Sequence, residues 1–410
     1  METWLPILVA LAPTYLVRFS VAGVPTTLLE VLIYVVAIAA VVTKSISIAR
    51  VRTQLTPMWW WGIGLVLFGM LIGLMVTQDK HTALGLAKAF IVDPLVVFFL
   101  IVGSKPRDDH WLVLWLTLSA TVVSVISLVA WKLHAGWAVA DDGRLLGLFG
   151  IEANASPNYL AMFLAPITAA SIAWLGTPPW TPKRWQTLLG LSIVVNLIAI
   201  AATESRAAIA TAILGGIIGI VVYHRRSLAT RPYARSLGVV AVLAMVMFGI
   251  ALVQPDFALS GTNGGRIASS NNIRWEIWNT TSQLIDGQPI IGLCLGDYQQ
   301  NFGKYTQHWV NYPEYITPWA HTPHNLFLNY WVQLSFFGMA GLVLLLVAAF
   351  RRLWVTNDQL NAAILVALLS TIVLHGLVDT PAWKNDLALL FWAVLAATAA
   401  LRTARSNARA

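Results

Sequence analysis

The segment His321-Thr322-Pro323-His324-Asn325-Leu326-Phe327-Leu328 sets two histidines immediately ahead of a long apolar run. Histidine changes charge near neutral pH, so an imidazole at a helix start that faces water is placed to take a proton from an incoming hydroxyl. His324 reads as a general base on this ground. An equal alternative is that His324 and Asn325 cap the helix by satisfying its free backbone N–H groups. His321 reads as loop structure that supports the site.

Four arginines form the second chemical group. Thr203-Glu204-Ser205-Arg206 lies at the end of an apolar run, where an unpaired arginine in hydrocarbon would cost at least about 2.5 kcal/mol. A diphosphate is a suitable partner, because a guanidinium holds two phosphate oxygens in a planar fork that lysine lacks. Glu204 or a neighbouring carboxylate is the competing partner and the commoner arrangement. Arg266, in Gly264-Gly265-Arg266, and Arg274, in Asn272-Ile273-Arg274-Trp275, add positive charge further along. Arg144 opens Arg144-Leu145-Leu146-Gly147-Leu148-Phe149-Gly150-Ile151-Glu152-Ala153-Asn154, followed by Asn158, a segment that suits a head group, a sugar or an ordinary re-entrant turn. Lys88 with Asp93, Arg18 with Glu30, and His375 with Asp379 read as boundary or intramembrane pairs.

The elements that must position these residues are membrane helices. The 410-residue chain is 58% hydrophobic and 11% charged, well below the roughly 25% charge of soluble domains. Apolar runs fall near 4–19, 25–43, 58–76, 83–102, 111–130, 157–175, 186–202, 207–223, 236–253, 323–349, 361–378 and 386–401. The expected fold class is an all-α integral membrane protein of about twelve transmembrane helices, one polytopic domain over 1–410. The net charge of +8 sits in short loops, so it reads as an orientation signal and not as a nucleic-acid surface. Lys44, Arg50 and Arg52, then Lys105 and Arg107, Lys183 and Arg184, Arg225 to Arg235, Arg351 and Arg352, and the arginine-bearing tail fall in alternate loops, which makes that side and both termini cytoplasmic.

Residues 254–322, between the ninth and tenth spans, then form a large periplasmic loop, too long for a connector. Within it Asn271 to Asp286 reads as an amphipathic helix, with Ile273, Ile277, Leu284 and Ile285 on one face, Asn272 as cap, and Gly287 and Pro289 as its end. Trp275 and Trp278 suit the lipid interface, so the helix reads as a lipid-facing lid. Arg144, Arg206, Arg266 and Arg274 all fall on the side where positive charge is disfavoured, and an anionic ligand gives the reason. No Gly-x-x-x-x-Gly-Lys-Ser/Thr loop is present and no metal-ligand spacing stands in the outer loop, so no cofactor and no metal are expected. Cys294 is alone, which excludes an intramolecular disulfide.

Together these residues resemble the O-antigen ligase and polymerase superfamily, membrane glycosyltransferases that use polyprenyl-diphosphate-linked glycans on the periplasmic face. The resemblance rests on Thr203-x-Ser205-Arg206, on Arg274-Trp275-Glu276-Ile277-Trp278 through Pro289-Ile290-Ile291-Gly292-Leu293-Cys294-Leu295-Gly296, and on His324-Asn325-Leu326-Phe327-Leu328 running into Gln333-Leu334-Ser335-Phe336-Phe337-Gly338. It implies that Arg206 and Arg274, with Arg266 and Arg144 adding charge, clasp the lipid diphosphate, that His324 activates the acceptor hydroxyl, and that Ser205, Asn325 and His321 support them. Glu204 and Cys294 depart from the pattern. The implied partners are a polyprenyl (undecaprenyl) diphosphate-linked glycan donor, a lipid A-core or other glycan acceptor, and membrane lipids of the bacterial inner membrane. The implied reaction is inverting and independent of nucleotide and metal. Polymerisation of the lipid-linked glycan, transfer to protein hydroxyls, and transport of lipid-linked sugars stand as the alternatives, in that order.

Overall fold

The computed structural model describes residues 4–21, 23–105, 110–152, 155–177, 183–228, 270–306 and 320–401. It opens with α1 (Trp4–Ala10), a 3-10 turn over Ala12–Leu16, and a hairpin of β1 (Arg18–Val21) and β2 (Val24–Thr27), in which Arg18 faces Thr27. There follow α2 (Leu28–Val42), α3 (Ile48–Gln54), α4 (Pro57–Val76), α5 (Lys80–Ala87), α6 (Asp93–Gly103), α7 (His110–Lys132), α8 (Pro157–Leu175), α9 (Lys183–Ala202) and α10 (Arg206–Leu228). After the undescribed 229–269 come α11 (Ser270–Asp286), α12 (Tyr298–Thr306), α13 (Leu326–Val355), α14 (Gln359–His375) and α15 (Asn385–Ala400).

Among the described residues seven helices are long and apolar enough to cross a membrane: α4, α5 and α6 joined through a π turn, α7, α8, the Trp185–Ala202 part of α9, the Arg206–Arg225 part of α10, and α13. Three shorter apolar helices, α2, α14 and α15, accompany them. α15 is buried on almost every residue, Trp392 and Phe391 included, as a helix apolar all round must be. It lies in the interior of the bundle.

The expected span over 4–19 is not one helix. Pro13 lacks the N–H a continuing helix needs, and the chain turns through Ala12–Leu16 into a strand. Thr27 and Glu30 form a reciprocal capping box that starts α2 later than expected, with Glu30 N–H donating to Thr27 Oγ1 at 3.2 Å. The ninth expected span, 236–253, lies outside the described residues, as do Arg107, Asn154, Arg231, Arg235, Arg266 and the parts 254–269 and 307–319 of the expected outer loop.

Two of the expected charge pairs have other partners. Lys88 pairs with Glu30, and Arg18 pairs with Glu152. Asp93 instead accepts from the Tyr34 hydroxyl at 2.6 Å. Each chosen partner is distant in sequence, where spacing along one helix has no bearing.

α13 is broken at Leu334 and Ser335, the latter in the left-handed region at φ +63°. The break frees backbone groups that the 289–296 segment takes up: Phe336 N–H donates to Ile290 O at 3.0 Å, and Leu293 N–H donates to Val332 O at 2.9 Å. Gly292 sits so close that a Cβ would lie 2.5 Å from Trp331 O, and Gly69 of α4 packs as tightly on Leu334 O. This docking carries the chain from α11 and α12 onto α13, and so sets where His324 lies relative to α11.

Candidate functional site

Asn325 is the cap of α13: its side-chain oxygen accepts from Phe327 and Leu328 N–H, both at 3.0 Å. His324 stands one residue outside the helix, at φ +45°, a conformation that costs a non-glycine residue about 1 kcal/mol or more. The capping task thus falls to Asn325 alone, and the imidazole is left for other contacts.

The Nδ1 atom of His324 lies 3.2 Å from Asp379 Oδ1. A carboxylate only accepts, so Nδ1 carries the proton and the Nε2 lone pair remains. Asp379 is 2% exposed, and its other contacts are Asn158 Nδ2, donating to Oδ2 at 2.9 Å, and the N–H of Thr380, donating to Oδ1 at 2.9 Å. Burial alone would raise the carboxyl's proton affinity; the His324 charge and hydrogen bond, then Arg274 and His375, outweigh it and hold the group well below the usual carboxylate range. The expected pairing of His375 with Asp379 survives only as this electrostatic influence and as a backbone turn, Asp379 N–H to His375 O at 3.0 Å.

His324 and Asp379 line a cavity of about 710 Å³ with His321, Thr322, Asn158, Tyr159, Arg144 and Glu152. Nδ1 of His321 is 2.8 Å from Gln299 Oε1 on α12, and burial, followed by the neighbouring His324, lowers its proton affinity. Arg144 reaches the same cavity but is engaged by Asp142 at 2.7 Å. Glu152 is held by three partners: the Tyr15 hydroxyl at 2.8 Å, Lys384 Nζ at 2.6 Å, and Arg18. Lys384 in turn stacks its ammonium over the rings of Tyr159, Phe149 and Tyr15, the nearest centroid at 4.1 Å.

Arg206 opens α10 after a turn in which Glu204 adopts φ +57°, and Thr203 Oγ1 accepts from Ser205 N–H at 3.3 Å. Ser205 is buried in that turn. Among the described residues Arg206 makes no ion pair with Glu204; their contact is backbone, Arg206 N–H to Glu204 O at 3.0 Å. Arg274 is half-buried on α11. Burial lowers its proton affinity, Asp379 raises it, and Arg206 lowers it, so Arg274 lies within electrostatic range of both. Neither Arg206 nor Arg274 lines the cavity itself.

α11 begins at Ser270, two residues before the expected cap Asn272, and ends at Asp286 as Gly287 and Pro289 require. Ile277 and Ile285 are buried against Tyr298, Phe302 and Val332, so the apolar face closes a small core with α12 and α13 instead of lying on lipid. Trp278 is turned inward and its Nε1 donates to His324 O at 3.3 Å, whereas Trp275 stays largely exposed. The helix therefore holds the histidine's backbone from above.

Sequence reasoning named Asp379 but not its bond to His324, and it missed Lys384, Tyr159 and Trp278 as site residues. The signal for Asp379 was an acid at the edge of an apolar run; which histidine it met depended on packing.

Residues 191–346 match the family model described as O-Antigen ligase, a stretch that contains Arg206, Arg274 and His324. Asp379, Asn158, Glu152 and Lys384 fall outside it. No curated protein matches the chain. Over residues 191–346 the chain is similar to the O-antigen ligase family.

Proposed function

We propose that this protein moves a glycan from a polyprenyl-diphosphate carrier to an acceptor hydroxyl, and that the reaction is O-antigen ligation onto a lipid A-core sugar. The observation that carries the reading is the Asp379–His324 pair, at 3.2 Å, facing a cavity of about 710 Å³ beside two arginines within mutual electrostatic range. A sugar diphosphate already has a good leaving group, so the enzyme's tasks are to bind the growing diphosphate charge, align an acceptor oxygen and remove its proton.

In this reading Nε2 of His324 takes the acceptor proton while Asp379, on Nδ1, stabilises the imidazolium that forms. The acceptor oxygen bonds to the anomeric carbon as the bond to the diphosphate oxygen breaks, which inverts that centre with no covalent enzyme intermediate. Arg206 and Arg274 hold the departing diphosphate: two like charges near each other favour an anion between them. Arg144 reaches a phosphate at the cavity rim only by exchanging its Asp142 partner. The topology that goes with this reading places the site on the periplasmic face of the bacterial inner membrane.

The test is glycan transfer in membranes by the wild type and His324→Ala, with donor binding measured separately. Removing a general base lowers transfer by on the order of 10³-fold while donor binding persists. Transfer near the wild-type rate would remove His324 from the chemistry. A ladder of lengthened glycans, formed from donor alone, would assign polymerisation in place of ligation.

A further inference from the structure

The two oxygens of the Asp379 carboxylate are bound from different sides of the chain. Oδ1 accepts from His324 Nδ1 at 3.2 Å and from the Thr380 N–H at 2.9 Å. Among the described residues the hydrogen bond to Oδ2 comes from Asn158 Nδ2, at 2.9 Å and 221 positions away in sequence. The last torsion of an aspartate is broad and roughly two-fold, so its backbone does not decide which way the carboxylate plane faces. A donor on each oxygen fixes it.

Asn158 stands where it can supply that second donor from a fixed base. It is the second residue of α8, and its own N–H donates to the cap residue's Ser156 Oγ at 3.3 Å, which leaves the amide side chain free of the capping task. α8 is the most buried of the seven membrane-length helices, with Phe163, Ala165 and Ala169 fully enclosed. Asp379, by contrast, stands on the turn between α14 and α15. An amide directs the carboxylate without bringing a charge that competes with the imidazolium.

The consequence falls on His324. A neutral imidazole has two tautomers, and the one with its proton on Nδ1 leaves Nε2 as the base. An acceptor oxygen held at Nδ1 selects that tautomer; a carboxylate free to turn away does not.

We propose that Asn158 is a positioning residue for the transfer: it fixes the Asp379 carboxylate so that Oδ1 stays on Nδ1 of His324 and Nε2 stays the base. The inference rests on the glycosyl-transfer reading above. His324 lies inside the matched stretch 191–346, whereas Asn158 precedes it and Asp379 follows it, so the base and the pair that aims it come from separate parts of the chain.

The experiment uses the full chain in nanodiscs, with an undecaprenyl-diphosphate-linked glycan and a lipid A-core acceptor, and expresses transfer per folded molecule. Asn158→Leu keeps the size and removes the donor; kcat falls about 10²-fold, as for a reacting group misplaced by about an ångström, while KM for either substrate moves less than about twofold. Asn158→His, whose ring N–H can stand in for the amide, recovers about tenfold of that loss. In an Asp379→Ala background Asn158→Leu costs less than about twofold more, because the group it positions is gone. A loss of about 10²-fold in that background, or a loss carried in KM with kcat kept, would overturn the proposal.

Nitrogen-15 spectra of histidine-labelled protein at alkaline pH read the tautomer without turnover, the His324 signal being the one that His324→Ala removes. The wild type should hold its proton on Nδ1, and Asn158→Leu should move His324 to a mixture. An unchanged tautomer in Asn158→Leu sinks the proposal whatever the transfer rate. The two readings therefore fail separately: a tautomer that depends on Asn158 in a protein that transfers no glycan supports the positioning and defeats the transferase reading.

Discussion

Two carboxylates line the same cavity and are held in opposite ways. Asp379 meets a histidine, an asparagine amide and a backbone N–H, so only one of its partners, His324, can change its charge. Glu152 meets Arg18, Lys384 and the Tyr15 hydroxyl, whose charges are permanent or absent near neutral pH. A carboxylate opposite a titratable partner can follow a proton through a reaction; one locked between fixed cations can only hold elements together. In the proposed reaction Asp379 therefore serves the chemistry, while Glu152 serves the frame joining β1, the 144–152 segment and the start of α15.

The largest test of that contrast is Asp379→Asn, which keeps size but removes the charge opposing an imidazolium. Transfer should fall on the order of 10³-fold, about 4 kcal/mol of transition-state stabilisation, with donor binding retained. The same variant has a stability signature. Because the folded state depresses the Asp379 carboxyl, its stabilisation is complete above the unfolded value near pH ~4 and is lost as pH falls through the lower folded value. Thermal unfolding of the wild type should thus lose ground below about pH 4 by a margin that Asp379→Asn lacks. A variant with normal transfer and the wild-type acid slope would erase the distinction between the two carboxylates.

Lys384→Met comes next. Its side chain is 9% exposed, and breaking a buried pair costs about 3 to 5 kcal/mol; the lower figure applies because Arg18 and Tyr15 still hold Glu152. A lowered unfolding temperature, with transfer per folded molecule nearly kept, would match a structural Glu152; loss of transfer at unchanged stability would move Glu152 into the chemistry. The smallest effect is Arg18→Gln. With 59% of the side chain accessible, that arm of the Glu152 pairing is worth under about 1 kcal/mol, and thermal unfolding should barely shift.

Helices such as Pro157–Leu175 were legible to the residue, because an apolar run of membrane length bounded by Ser156-Pro157 carries both its length and its start in local composition. α11 was legible for the same reason, through apolar residues at helical spacing. What hid the first segment was Pro13: hydropathy averages over it, whereas the backbone cannot. His324 could be singled out as a proton acceptor but not separated from a helix cap, since both roles ask for a polar residue at the same place. The observed bonds of Asn325 assign the cap to that residue.

By itself, then, the sequence determined the medium, most of the helices, and the residue types that can take a proton or hold a phosphate, because each of these follows from composition over a few turns. Only the tertiary structure decided the partners. His324 meets Asp379 across 55 residues, Lys88 meets Glu30 across 58, and Arg18 meets Glu152 across 134. A buried charge is satisfied by whichever group the packing of distant helices brings within reach, and helical periodicity relates only residues a few positions apart.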